Sequence, residues 1–444
     1  MEHGVIEAYE DNQLAVAISD LRAVRNALDE YGASIPSEER DPRLGLALLT
    51  LGNLPAAVGQ LKSKDSGLLG RAMQARWPDG PPSGIQLSDL DLVIYSLREQ
   101  SRAHYSNWVP TIGKNRVIEP VRGLPYIGGG GEGDPYFGGS GDPRTSPGPN
   151  AGTIAQTAIP SGVPAGWPPR RTKNPGQGVR VGVLDTRVYP HEWLAGAYFT
   201  AGDELLTIPA AGKPLLSASA GHATFIAGLI LCQAPGAELD IRPVLDDSAV
   251  GKAWDVAKEM ASFAGSGVDI LNMSYGCYTD DGEPPLVLAR AVSLLSAEIL
   301  LVAAAGNHGN IDVLRAQNLV PNQPWTQGLT PVTPVWPAAF DEVTAVGAMD
   351  GNEVAAFSPQ TPWVDLLAPG VNVESTYLTA QVKPATPGAG SPLAFTGFAN
   401  WDGTSFSAAT VSGAVAARIE PGRCDARQAL EYIGGAPPAG IRPA

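Results

Sequence analysis

From Val179 onward, short apolar runs alternate with helical periods, and this alternation constrains the fold more than any other feature of the chain. Val179–Leu184, Glu238–Val244, Val268–Met273, Ile299–Ala304 and Glu342–Val346 read as buried strands. Between them, His222–Leu231, Val250–Phe263 and Leu286–Ala297 read as helices. Strand and helix in turn argue for an α/β domain built on a mostly parallel sheet with helices on both faces. In such sheets, functional side chains gather just past the carboxyl ends of the strands. The unit is expected to span 176–435.

The chain before it is of a different kind. Leu14–Ile18 reads as a strand. Ser19 or Asp20 then caps a helix with Leu21, Val24, Leu28 and Tyr31 on one face and Gly32 behind it. Leu44–Leu51 is a second apolar run, and Leu54–Leu61 looks helical. Ser88 with Asp91 three residues on forms a capping-box pattern ahead of Leu90, Val93, Ile94 and Leu97. These elements are expected to make a small α/β domain over residues 1–105, with no catalytic constellation of its own. Composition then shifts. The run Gly128–Gly131 and scattered prolines between Gly123 and Arg170 make residues 106–175 read as a Gly/Pro-rich linker, since such a stretch buries too little apolar surface to order itself.

At 444 residues the chain is long enough for a large core, and a formal net charge of −15 argues against nucleic acid or an anionic membrane as partner. The three cysteines, Cys232, Cys277 and Cys424, are too few and too irregularly spaced for a disulfide framework or a zinc site. No metal or other cofactor is expected. The acidic N-terminus lacks a basic, apolar leader, and no stretch approaches transmembrane length, so a cytoplasmic location is expected.

The chemistry concentrates at strand and helix ends. Asp185 closes the first strand of the α/β domain, and His222 opens a helix. Asn307 follows Ala303-Ala304-Ala305-Gly306, and Ser405 opens the helix that runs on through Phe406, Ala409, Val411, Gly413, Val415 and Ala416. A hydroxyl in the first turn of a buried helix lies in the field of unpaired backbone N–H groups, a good position for a nucleophile whose reaction makes an oxyanion. Serine needs histidine to take its proton, and a buried carboxylate to hold the imidazole in the right tautomer. A Thr-Ser pair ahead of a helix is also an ordinary N-cap, so this stretch alone does not decide the matter.

Taken together, Val183-Leu184-Asp185-Thr186, Gly221-His222-Ala223-Thr224-Phe225-Ile226-Ala227-Gly228, Ala304-Ala305-Gly306-Asn307 and Gly403-Thr404-Ser405 resemble the motif set of the subtilisin-like serine peptidases. The order Asp, His, Ser is that of subtilisin itself. Ile270-Leu271-Asn272-Met273-Ser274-Tyr275-Gly276 is similar to the family's substrate-binding strand, and the likeness extends over roughly 176–420. The resemblance implies a serine endopeptidase with Ser405 as nucleophile, His222 as general base and then acid, Asp185 orienting it and Asn307 in the oxyanion site. It further implies that Ser274, Tyr275 and Gly276, with Ala304 and Gly306, bind an extended protein or peptide substrate. The residues 1–105 are expected to restrain, inhibit or recruit. The alternative is a module that binds peptides without turning them over.

Three positions depart from the family pattern: Arg187 after Asp-Thr, Ala223 after the histidine, and Ala409 within the serine helix. Arg187 could pair with Asp185 and weaken its hold on His222, or point to solvent. His191 and His308 read as packing or solvated groups, Cys277 as a buried thiol and Cys232 as core. The acidic turn Asp280-Asp281-Gly282-Glu283 lacks calcium-loop spacing and reads as solvated. A lipase-type α/β-hydrolase is disfavoured, because all five histidines precede Ser405.

Overall fold

In a computed structural model of the chain, the residues described are 8–78, 80, 86–120, 175–200, 205–316, 329–383, 392–438 and 440–444. The Gly/Pro-rich stretch between Gly123 and Arg170 lies outside them.

The N-terminal unit runs β1 (Tyr9–Ala17), α1 (Leu21–Tyr31), β2 (Ser34–Asp41), β3 (Leu46–Gly52), α2 (Leu54–Lys64), α3 (Leu68–Arg76), α4 (Asp89–His104) and β4 (Ile112–Pro120). Its strands form an antiparallel sheet in the order β4-β1-β3-β2. The expected capping box is present: Ser88 Oγ accepts the Asp91 N–H at 3.0 Å and Asp91 accepts the Ser88 N–H at 3.0 Å. The boundary drawn after residue 105 falls short, since β4 completes this sheet. Its middle residues, Lys114, Asn115 and Arg116, are buried but polar, so no apolar alternation announced a strand.

The larger unit follows with β5 (Arg180–Asp185), β6 (Tyr198–Phe199), α5 (His222–Gln233), β7 (Glu238–Pro243), β8 (Gly251–Lys252), α6 (Ala253–Ser262), β9 (Ile270–Met273), β10 (Tyr275–Gly276), α7 (Leu286–Leu295), β11 (Leu300–Ala304), α8 (Ile311–Ala316) and β12 (Val343–Asp350). It ends with β13 (Glu353–Val354), β14 (Leu366–Pro369), β15 (Val373–Val382), β16 (Leu393–Trp401), α9 (Thr404–Ala416), α10 (Ala426–Gly435) and β17 (Arg442–Pro443). Among the described residues, β14-β12-β11-β9-β5-β7-β6 are parallel throughout, with β13 and β17 antiparallel at the margin. The expected start of the second helix at Val250 is corrected: residues 251–252 are extended, and the helix begins at Ala253.

Strand alternation divides the core. On one face Val181, Val183, Ile270, Leu300 and Val302 share a buried cluster with α5 and α9. On the other, Leu184, Leu271, Met273, Leu301 and Ala303 share one with α6 and α7. Burial on both faces is why these strands read as continuous apolar runs. The second cluster also takes in Ala15, Ala17, Leu46, Leu48 and Ile118. Their neighbours Leu14, Val16, Ala47 and Leu49 turn the other way, to the N-terminal unit's own helices. The N-terminal sheet therefore buries one face at home and the other on α6 and α7.

Polar contacts ring that interface. Arg76 lies 3.3 Å from Asp280 and 3.0 Å from Asp281, Lys258 2.6 Å from Glu39, and Lys252 3.1 Å from Glu10. The turn at Asp280, expected to be solvated, is thus engaged by the N-terminal unit. Asn115 Oδ1 accepts the Trp254 N–H at 2.9 Å. Cys232 corrects another expectation: it is exposed on the last turn of α5, beyond the buried run that ends at Leu231.

Candidate active site

The order β9-β5-β7 marks a point where the chain reverses its direction of winding, and the site lies at the carboxyl ends of the strands beside it. Asp185 ends β5, fully buried. His222 begins α5, and its Nδ1 sits 2.8 Å from both oxygens of the Asp185 carboxylate. Thr186 N–H gives Asp185 Oδ1 a further bond at 2.7 Å. A carboxylate held this way keeps the proton on Nδ1, so that Nε2 is the nitrogen able to accept one.

The residues around His222 explain its placement. Gly221 precedes it because a Cβ there would lie 2.2 Å from the Tyr377 ring. Trp401 stands edge-on to the imidazole, with ring centroids 5.7 Å apart and planes at 85°, and Phe406 lies at 5.7 Å. Phe225 closes the group, 4.6 Å from Phe406 and 5.6 Å from Trp401. The hairpin β15–β16, which carries Tyr377 and Trp401, was not anticipated. It is stitched to α5 where Ser375 Oγ and Thr376 Oγ1 donate to the carbonyls of Phe225 and Thr224, each at 2.7 Å.

Ser405 occupies the first turn of α9. Its Oγ donates to the Ser274 carbonyl at 3.3 Å, and Ser274 Oγ donates back to the Ser405 carbonyl at 3.1 Å. Asn272 ties the same region together: its Nδ2 donates to Ser274 Oγ, and its Oδ1 accepts from Ser412 Oγ, both at 3.0 Å. Asn307 follows β11. Its Oδ1 accepts the Thr404 N–H at 2.9 Å and the Thr404 hydroxyl at 3.0 Å. With its oxygen committed, the amide nitrogen is the end with hydrogens to give. Gly306 adopts a φ of 113°, a region reserved for glycine, and packs against the His308 ring and Val335.

The remaining expectations sort themselves by contact. Arg187 turns away from Asp185 and binds Asp247 through both its Nε (3.1 Å) and Nη2 (2.5 Å). Ala223 is buried and donates its N–H to Thr186 Oγ1 at 3.1 Å, while α9 runs unbroken through Ala409. His308 is buried: burial lowers its pKa to about 4, its Nδ1 faces the Tyr278 hydroxyl at 3.3 Å, and its Nε2 faces the Thr333 carbonyl at 3.0 Å. His191 is buried too, its pKa lowered by desolvation, with Nδ1 accepting the Trp193 N–H and Nε2 facing the Gly397 carbonyl. Both histidines are packing groups, and Cys277 is a buried thiol beside Trp336. Among the described residues no group of three or more His, Cys, Asp or Glu is placed to hold a metal ion, and no helix is long and apolar enough to cross a membrane.

One occupant was missed. The last residues of β4 run between β8 and β10. Val117 and Ile118 pair with Lys252 and Gly251 on one side, and Glu119 and Pro120 pair with Gly276 and Tyr275 on the other. An extended segment of the chain itself therefore occupies the edges of β8 and β10, beside Ser274. The available signal was Val117-Ile118, two β-branched residues ahead of a proline.

A model of the subtilase family matches residues 176–422. The chain is 31% identical over 255 residues to Subtilisin Savinase of Lederbergia lenta, covering 54% of this chain and 76% of that protein. It is 34% identical over 215 residues to the thermostable alkaline protease of Halalkalibacterium halodurans, covering 46% of this chain and 50% of that protein. For several such alkaline proteases the match spans about half their length, 54% in the case of Alkalihalobacillus alcalophilus. A solved lanthipeptide protease is similar at 22% identity and a TM-score of 0.43, over 58% of this chain and 79% of that one, an overlap too loose to carry weight.

Proposed function

The chain belongs to the subtilase family, and from that premise we propose that it hydrolyses peptide bonds through an acyl-enzyme on Ser405. His222 Nε2 takes the proton of the Ser405 hydroxyl as Oγ attacks the substrate carbonyl. Asp185, hydrogen-bonded to Nδ1–H, keeps the ring in the tautomer that can do so and stabilises the imidazolium that forms. The tetrahedral oxyanion accepts hydrogen bonds from the Asn307 amide and the Ser405 N–H, at the positive end of α9. His222 then returns its proton to the leaving amine, and water repeats the sequence to release the acyl group. The observation that carries this reading is the fully buried His222–Asp185 pair, 2.8 Å apart, set against Phe406 in the first turn of the helix that carries Ser405.

The N-terminal unit, which extends to residue 120, is read as a built-in restraint. It lays β4 along the same two edges, β8 and β10, that an extended substrate needs. A binding module without turnover has lost its main support, since Arg187 engages Asp247 rather than the catalytic carboxylate. Full-length wild type and Ser405→Ala, incubated with an unstructured protein, test the proposal. Wild type is expected to cleave it and Ser405→Ala to leave it intact. Equal cleavage by both would remove Ser405 from the mechanism.

A further inference from the structure

The Arg187–Asp247 pair joins two things: the strand that carries Asp185, and the loop between β7 and β8. That loop is closed on itself. Asp246 N–H donates to the Val250 carbonyl at 2.9 Å, and Asp246 Oδ1 accepts the N–H groups of Ser248 and Val250 at 2.8 and 3.0 Å. Its exit packs on its entry, for a Cβ on Gly251 would lie 2.4 Å from the Val244 carbonyl. At the root, the N–H groups of Val244 and Leu245 both donate to the Asp185 carbonyl, at 2.9 and 3.1 Å. The loop is thus one stiff piece, hung from Asp185 at its root and held at its tip by Arg187. Immediately beyond it, β8 forms one wall of the groove and pairs with Val117 and Ile118.

The two walls are anchored unequally. The β10 wall is fixed by the Ser274–Ser405 and Asn272–Ser412 bonds and by the backbone pairing of Cys277 with Trp336. The β8 wall is fixed at its far end by Ala253 and Trp254, buried at the start of α6, and at its near end depends on how the loop is held. From this we infer that Arg187 is a positioning residue for extended substrates: through Asp247 it holds β8 in register with the bound chain. This rests on the peptidase reading above and adds a determinant of substrate length to it. A peptide long enough to pair with β8 requires the tether. A short ester that reaches only Ser405 and Asn307 does not.

The test compares kcat/KM for a long peptide with kcat/KM for a short ester. The full-length chain is used as wild type, Arg187→Ala, Asp247→Ala and the exchanged pair Arg187→Asp with Asp247→Arg. Any fraction of sites covered by the N-terminal unit scales both rates, so it cancels in the long-to-short ratio. Each single substitution is expected to lower that ratio about threefold to fivefold through KM, the size of a partly exposed bidentate pair, and the exchange to restore it to within about twofold. Ester activity reports that the variants are folded. A wild type active on both substrates with the ratio unmoved in the variants overturns this inference alone, as does an exchange that restores nothing. A wild type inert toward both, with Ile118→Asp, whose charge unseats β4 from β8, equally inert, overturns the peptidase reading, and the inference with it.

Discussion

Helix α9 begins and strand β4 ends beside Ser274 and Tyr275, but they are held there by opposite means. Every residue of α9 is buried. Its small side chains let neighbours approach so closely that a Cβ on Gly413 would lie 2.7 Å from the Ile230 carbonyl. Ser407 and Ser412 bond inward to Ala368 and Asn272. Strand β4 instead carries buried polar residues, Lys114 among them, 2.6 Å from Asp91. Burial alone would raise the pKa of Asp91; Lys114 and Ser88 outweigh it and hold that carboxyl below its usual range. Around β4 lies a rim of ion pairs that water can replace at small cost. Pulling α9 away would expose apolar surface and unsatisfied groups, whereas pulling the N-terminal unit away exposes one apolar face and a set of charges that hydrate readily. The first is built to stay and the second is able to leave.

The largest break to this comparison comes at the permanent side. Asn307→Ala should lower kcat about 10²–10³-fold with KM little changed, the size such a donor carries in subtilisin itself, measured by steady-state kinetics on a peptide. Gly413→Val should cost about 3 kcal/mol of stability by overpacking α9 against α5, seen as a lowered thermal midpoint; an unchanged midpoint would mean that the close approach is not needed. At the detachable side, Ile118→Asp puts a charge into the apolar cluster beside β8. It should release the groove and raise the peptidase activity of the full-length chain, while leaving the larger unit folded.

Acid sharpens the contrast. Two of the buried histidines, His191 and His308, both in the larger unit, have folded-state pKa values below the unfolded 6.5. For His308, at about 4, the unfolded chain binds the proton first as pH falls. The stability contributed by the neutral ring is therefore complete above pH 6.5 and is lost progressively down to about 4, some of it, about 2 kcal/mol, by pH 5. Chemical denaturation at pH 7.5 and 5 reads this, and His308→Gln should flatten the dependence. The smallest effect is at the rim: Arg76→Ala should weaken attachment of the N-terminal unit by about 0.5–1 kcal/mol, and added salt should mask the difference.

The parallel sheet was legible because buried strands leave apolar runs, and Asp185, His222, Asn307 and Ser405 because they sit at strand and helix ends within motifs that resemble the subtilisin-like set. The β4 strand was not legible, since its inner positions are Lys114, Asn115 and Arg116, whose burial is compensated by partners far away in sequence. The β15–β16 hairpin was missed for a related reason: Ser375 and Thr376 look like surface residues until α5 supplies carbonyls for them. The fate of Arg187 depended on Asp247, sixty residues away, which no local pattern connects to it.

The central claim is that Ser405 is an activated nucleophile in a groove that the chain fills with its own strand. Labelling intact wild type, Ser405→Ala and Ile118→Asp with a fluorescent serine-directed phosphonate, and mapping the modified residue by mass spectrometry, tests it most directly. Modification at Ser405 is expected, faster in Ile118→Asp than in wild type, and absent in Ser405→Ala. No labelling of Ile118→Asp, or labelling that persists in Ser405→Ala, would contradict it.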